Sequence, residues 1–306
     1  MRTEKLEAVN VTSINDFLDD KLRWCFKWGE NRVPRRTPKV LDIGKKLHEA
    51  FELHFKEPEI EVDEALRQLL PPPGTILDPE DQKVDDALRG LLEPLAFWKD
   101  QYAIDQTLEV EEPFTAWLTS GAKFRGRPDR VVLAYGKVFH MQHKSVGGSV
   151  NLGTFLTLQQ RNLHELMYGR YLMKKYPDHP YGGSILNIVR KLKYRSKQVT
   201  KAEPYGKILH TPEEMMLQTM VAFNQEQSDI ANEEVNLLSV AMDRTLEAYY
   251  GGHRIPSNRR LDGGYHGNSI DPYTLVMLGE VSLSDDALFM DRVDTYDLNL
   301  ESEGTE

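Results

Sequence analysis

Apolar and polar residues alternate through KFRGRPDRVVLAYGKVFHMQHK, Lys123 to Lys144, which reads as two β-strands joined by a turn at Ala134-Tyr135-Gly136-Lys137. Strand side chains point to opposite faces in turn, so Val138, His140, Gln142 and Lys144 are expected on one face of the second strand. If the strands pair as an antiparallel hairpin, Asp129 comes within reach of that face.

Elsewhere the period lengthens to that of a helix. Ile14, Phe17, Leu18, Leu22 and Cys25 follow Ser13, read as an N-cap with Asp16 in the capping-box position, and carry a helix to Trp28. Leu47, Phe51 and Phe55 stripe a helix over Leu41–Phe55. Further helices are predicted over Pro79–Gln101 and Phe155–Lys175, and a long one from Thr211-Pro212 to Tyr250. Thr107–Thr119 and Ser184–Val189 read as strands, and Glu57–Thr75, with Pro71-Pro72-Pro73-Gly74, as an insertion on the surface. Strands and helices in this order predict an α/β fold, a mixed sheet flanked by helices.

Composition narrows the class. With 306 residues, 40% hydrophobic and 28% charged, the chain is expected to be globular, as one large domain or two ordinary ones. No apolar run approaches the roughly 20 residues a membrane span needs, and MRTEKLEAVNVTS lacks an apolar signal core. No membrane partner and a cytoplasmic location are therefore expected. The single cysteine, Cys25, forbids an intrachain disulfide and any cysteine-built zinc or iron-sulfur site. No P-loop is present, so ATP-driven unwinding is not expected.

A net charge of −10 argues against a polyanion partner until its distribution is considered. Ser284–Glu306 carries eight acidic residues and one basic, and is expected to be mobile. Leu186–Lys201 carries six basic residues and no acidic one. Arg190, Lys191, Lys193, Arg195 and Lys197, with Tyr194 among them, suit a phosphate track. The loop Asn31–Lys39 holds Arg32, Arg35, Arg36 and Lys39, which either meet phosphates or are simply solvated.

Asp129, Gln142 and Lys144 together suit phosphodiester hydrolysis, in which a hard divalent cation takes oxygen ligands and an ammonium helps orient water. Here the chain resembles the PD-(D/E)xK nuclease superfamily, with Pro128-Asp129 as its first half and Gln142-His143-Lys144 as its second. Gly44 and His48 resemble the G-x-x-x-H motif that opens RecB-like domains, and Glu111-Glu112-Pro113-Phe114 resembles their glutamate-bearing first strand. Gln160, His164 and Tyr168, at i, i+4 spacing, stand where those domains carry Gln-x-x-x-Tyr. The match departs at Gln142, where the family has Asp or Glu: either a natural variant or a Glu→Gln change that silences the enzyme.

The resemblance implies a restriction-endonuclease-like core acting as a metal-dependent deoxyribonuclease, similar to phage-type exonucleases of recombination, replication and repair. It implies Mg²⁺ or Mn²⁺ held by His48, Asp129, Gln142 and the His143 backbone carbonyl, with Lys144 positioning the attacking water. Glu111 would support the site, as would Gln160 or His164, with Tyr168 packing near DNA. Iron-sulfur members begin their cysteine set where Cys25 stands, but the other cysteines are absent and no cluster is expected. The expected partners are duplex or single-stranded DNA and a recombination or replication protein, in the host cytoplasm if phage-encoded. The alternative is a nuclease fold weakened by Gln142 that binds DNA or protein. The expected layout is a helical segment over 1–103, the nuclease core over 104–200, a helical extension over 201–283 and the acidic tail over 284–306.

Overall fold

The structure is a computed structural model that describes residues 6–34, 39–196, 203, 205–223, 225–255, 276, 282–284 and 289–291. The elements run in order β1 (Ala8–Val9), α1 (Val11–Asp19), α2 (Lys21–Trp24), a π-turn (Cys25–Gly29), β2 (Arg32–Pro34), α3 (Val40–Lys56), α4 (Val62–Leu69), α5 (Pro79–Leu95), β3 (Gln106–Val110), β4 (Phe114–Trp117), β5 (Lys123–Gly126), β6 (Arg130–Ala134) and β7 (Lys137–Gly147). They continue with α6 (Leu152–Gln159), α7 (Leu163–Lys175), β8 (Tyr181–Lys191), α8 (Pro212–Met215), β9 (Met216–Val221), α9 (Gln225–Tyr250) and β10 (Phe289–Asp291). The fold is mixed α/β. Its chain contributes to two compact units, one of residues 39–112 and 127–228, the other of residues 1–38, 113–126 and 229–306.

The first unit is built on a five-stranded sheet ordered β3-β6-β7-β8-β9. Every pairing is antiparallel except β7 with β8, whose parallel pairing requires a crossover, supplied by α6 and α7. The β6–β7 hairpin turns through Tyr135 and Gly136, both at positive φ (52° and 69°), the type I′ geometry that matches strand twist. Phe139 and Met141 of β7 enter a large core with Leu47, Phe51 and Phe55 of α3, so the odd-numbered side chains of the strand face that helix. Val138 packs instead with Leu172 of α7, and His140 contacts Glu165 of the same helix, so the even-numbered side chains face α7. The grouping of Val138, His140, Gln142 and Lys144 on one face follows from this alternation.

The second unit holds the three-stranded sheet β1-β5-β4, the pair β10-β2 and most of α9. In it Cys25 is fully buried, and burial pushes its thiol up to about 12, so it is an inert core residue.

Several predicted boundaries move. Asn10, not Ser13, caps α1; Ser13 sits three residues on and closes the capping box with it. The helix then breaks at Asp20, whose side chain caps α2 by accepting from the Arg23 N–H. The supposed insertion at 57–75 contains α4, which buries Val62, Ala65 and Leu66, and α5 ends at Leu95, just after Pro94, rather than at Gln101. Thr107–Thr119 is two strands in different sheets, because Glu111 adopts a left-handed φ of 54° and Pro113 follows. Lys123–Lys144 likewise gives three strands: β5 pairs with β4, and only β6 and β7 form the hairpin. The helix over 155–175 is interrupted between Gln160 and Asn162, where Asn162 caps α7. Met216–Val221, read as helix, is instead strand β9, which pairs with β8 along Ser184–Val189. Tertiary pairing overrides the local pattern there.

Candidate metal centre

Three side chains of the first unit converge. His48 lies on α3, Glu111 just beyond β3, and Asp129 at the entrance to β6; a ligand atom from each lies within 4.8 Å of the others. His48 Nδ1 is 3.4 Å from Asp129 Oδ2. Local structure fixes each residue. Helical spacing puts His48 one turn after Gly44, which faces β7: an added Cβ would stand at ordinary contact distance, 3.4 Å, from Ser145 Oγ. The Glu111 N–H donates to the Asp129 carbonyl (3.1 Å), and the His143 N–H donates to Asp129 Oδ2 (2.6 Å). Asp129 is thereby pinned from both neighbouring strands.

The electrostatics favour a cation. Burial, and then the charge of Asp129, push the Glu111 carboxyl up to about 8, opposed in part by Arg127. The Arg127 guanidinium pairs with Glu111 Oε2 at 2.9 Å. Two crowded carboxylates beside an imidazole make a donor set that fits a hard divalent ion.

Gln142 and Lys144 lie together on the α7 side of β7, where Lys144 Nζ donates to Gln142 Oε1 (3.2 Å). The Gln142 amide nitrogen is buried without a hydrogen-bond partner. The His143 ring goes to the opposite side, stacked on Phe51 (4.4 Å between centroids) and Phe55 (5.4 Å). Burial and the neighbouring His48 hold its pKa well below the imidazole range.

Beside Gln142 on the α7 face lies a sealed cluster. His140 Nε2 meets Glu165 Oε2 at 2.7 Å and its Nδ1 meets Tyr181 Oη at 2.9 Å; His140 and Glu165 are wholly buried. Burial raises the Glu165 carboxyl, but His140, Lys144 and Ser184 outweigh it and leave the pKa below its usual value.

Gln160, His164 and Tyr168 do not share the predicted face, because the helix breaks between them. Gln160 is exposed. His164 packs on Tyr168 with ring centroids 5.2 Å apart, and burial, then Lys144, lower its pKa to about 4. Tyr168 is buried rather than presented to a ligand. Its hydroxyl clamps the backbone of Arg127, accepting from the N–H (3.1 Å) and donating to the carbonyl (3.2 Å).

The basic run is partly occupied. Arg195 is paired with Glu93, and Arg190 donates to the carbonyls of Gly148 and Glu214. Lys191 and Lys193 have no ion pair among the described residues; Lys197, Lys201, Arg35, Arg36 and nearly all of the acidic tail lie outside them. Sequence reasoning missed Arg127, Glu165 and Asn187. Only Asn187 left a signal, as a polar residue inside an otherwise apolar strand.

No protein-family model matches the chain, and no curated protein does. Among solved structures it is similar to "Putative exonuclease" from Eubacterium rectale, at 10% identity over 90% of this chain and 94% of that one, with a TM-score of 0.44. It is also similar to a protein named SSO0001, at 11% identity over 83% and 81%, with a TM-score of 0.25. Likenesses this distant carry no chemical argument. No helix among the described residues is long and apolar enough to cross a membrane.

Proposed function

We propose that the chain is a divalent-metal-dependent nuclease of the PD-(D/E)xK type, RecB-like, acting on DNA in the cytoplasm. The observation that carries this reading is the convergence of His48, Glu111 and Asp129 at the mouth of the hairpin bearing Lys144. His48, Glu111 and Asp129 would hold Mg²⁺ or Mn²⁺, and Glu111 thus acts as a ligand rather than as mere support. The bound ion supplies Lewis-acid polarisation of the phosphate and a water acidified toward neutrality. Arg127, beside Glu111, offers a guanidinium to the phosphodiester charge, and Lys144 orients the attacking water. Lys191 and Lys193 would guide the nucleic-acid backbone. A phage-type exonuclease of recombination or replication, working with a partner protein, is the finer form of the reading.

A second reading has its own observation. Lys144 donates to an amide at Gln142, where the family places a carboxylate, and the amide nitrogen is left unpartnered. A neutral oxygen binds cations weakly, which favours a weakened enzyme that grips DNA. Cleavage of linear duplex and single-stranded DNA with Mn²⁺, by the native chain and by Gln142→Glu, decides between them. Activity in both supports the nuclease. Activity in the substituted chain alone supports a weakened one, and a Mn²⁺-bound chain inactive in both forms supports a binding module. A chain whose melting temperature ignores Mn²⁺ overturns the metal reading itself.

A further inference from the structure

We propose that the cleft between the proline-rich loop after α4 and the first turns of α5 receives an ammonium group, carried on the lysine side chain of a partner protein. This site stands apart from the metal centre and from DNA. The cleft has a volume of about 350 Å³, near the lower end of small-ligand sites. Residues 71–75 and Leu77 line one side, and α5 lines the other with Gln82, Asp85, Asp86 and Arg89. Its walls are held in place. Pro73 and Gly74 form the corner of a β-turn, Gly74 at a φ of 85°, closed by the Thr75 N–H donating to the Pro72 carbonyl (3.2 Å). Arg89 ties the loop to the helix, Nε donating to Asp85 Oδ2 and Nη2 to the Pro71 carbonyl, both at 2.6 Å. A ligand thus meets a shape already formed.

The chemistry of the lining is one-sided. Three consecutive prolines bring carbonyls and no N–H, so that wall consists of acceptors and apolar rings. The side chains able to donate are each already turned to the protein: Thr75 Oγ1 to the Pro72 carbonyl (2.7 Å), Gln82 Nε2 to Asp86 Oδ1 (2.9 Å), and Arg89 as above. Acceptors are left over. Asp85 is only 7% exposed, and its Oδ1 is buried with no hydrogen-bond partner. A buried carboxylate oxygen without a donor is costly, and a donor brought from outside removes that cost. Asp85 and Arg89 cancel in charge, so the exposed Asp86 beside them makes the cleft anionic.

The same features select lysine. A guanidinium fork matches both oxygens of one carboxylate, and Arg89 already holds Asp85 Oδ2. An ammonium carries three separately aimed donors, which suit single acceptors on different elements: Asp85 Oδ1, Asp86 and a prolyl carbonyl. The proline rings and Leu77 flank the path of its alkyl stem. Two observations favour a protein over a free amine. Ile76, beside the lining residues, is 97% exposed, an apolar contact that only a larger partner can use. Asp78–Asp86 holds five acidic residues and one basic, so the rim attracts a basic segment.

Chemical-shift titration of the ¹⁵N-labelled full chain tests this, with the Gly74 and Thr75 amides as reporters. The probes are acetyl-Leu-Lys-Leu-amide, the same peptide with norleucine or arginine in place of lysine, and cadaverine. The lysine peptide should bind at least about tenfold more tightly than the norleucine peptide, the scale of one charge-assisted hydrogen bond, and more tightly than the arginine peptide. Asp85→Asn should weaken lysine-peptide binding by about tenfold. Gln82→Lys, at an exposed helical position, sets an ammonium in the cleft from within and should abolish that binding; it serves if Asp85→Asn does not fold. Ile76→Ser should weaken the peptide and leave cadaverine unchanged. No shift at the two reporters with any probe, equal affinity for the lysine and norleucine peptides, or equal affinity of the native and Gln82→Lys chains overturns the site. Cadaverine binding as tightly as the lysine peptide, with neither moved by Ile76→Ser, overturns the protein partner in favour of a free amine. DNA cleavage with Mn²⁺ should be the same in Gln82→Lys and Ile76→Ser as in the native chain, so failure of the nuclease reading and failure of this one are read separately.

Discussion

The α7 face of β7 and the mouth of the β6–β7 hairpin each bring a histidine to a carboxylate, yet they are built to opposite ends. On the α7 face His140 and Glu165 are wholly buried and bonded to each other, and Tyr181 makes a further hydrogen bond to His140. At the hairpin mouth His48 is 35% exposed, and of the two carboxylates near it Glu111 pairs with a guanidinium while Asp129 meets the imidazole and a backbone N–H. A carboxylate paired with a histidine in a sealed interior holds a fold together, whereas two crowded carboxylates beside a partly exposed imidazole can accept a cation. The same residue types therefore mean structure in one place and chemistry in the other.

Removing the sealed partner should cost most. Glu165→Ala leaves His140 buried without its carboxylate, and a loss of about 3–5 kcal/mol in urea unfolding is expected; a loss below about 1 kcal/mol would put the two regions on the same footing. Asp129→Asn should do the reverse, leaving metal-free stability nearly unchanged while Mn²⁺ affinity falls about 100-fold by calorimetry. Acidity sharpens the contrast further. The Glu111 carboxyl has its folded pKa near 8 against an ordinary 4.5, so the folded state holds this proton more tightly than the unfolded chain does. This group's contribution is fully present below about pH 4.5 and is lost as pH rises toward 8 in metal-free protein. Since a ligand must be deprotonated, Mn²⁺ affinity should climb with pH up to about 8, and Glu111→Gln should flatten that climb. The smallest effect is expected at Gly44. An added methyl would meet Ser145 Oγ at ordinary contact distance, so Gly44→Ala should change stability by less than about 1 kcal/mol, in the stabilising direction. Gly44→Leu should part α3 from β7 and weaken Mn²⁺ binding.

Much of the hairpin was legible because its cause is local. The alternation of Val138, His140, Gln142 and Lys144 and the turn at Tyr135-Gly136 are written in consecutive residues. His48 and Asp129 were placed by motif order, and in the fold their side chains lie 3.4 Å apart. The rest depends on partners distant in the chain. Met216–Val221 has a mixed pattern and becomes a strand only because β8 offers it an edge. Tyr168 was expected to pack near DNA; its hydroxyl serves the backbone of Arg127, 41 residues earlier in the chain, and no spacing rule encodes that. Arg127 itself looked like one more basic residue, since its pairing with Glu111 depends on how two separate strands end.

That pairing has a topological result. The chain leaves the five-stranded unit after Glu112 and re-enters it at Arg127, so residues 113–126 form an excursion whose two stems are clasped by the Glu111–Arg127 bridge. A graft replacing the excursion with a short glycine-rich turn would span a gap already closed by one ion pair, and joined with deletion of residues 1–38 and 229–306 it would ask whether the larger unit stands alone.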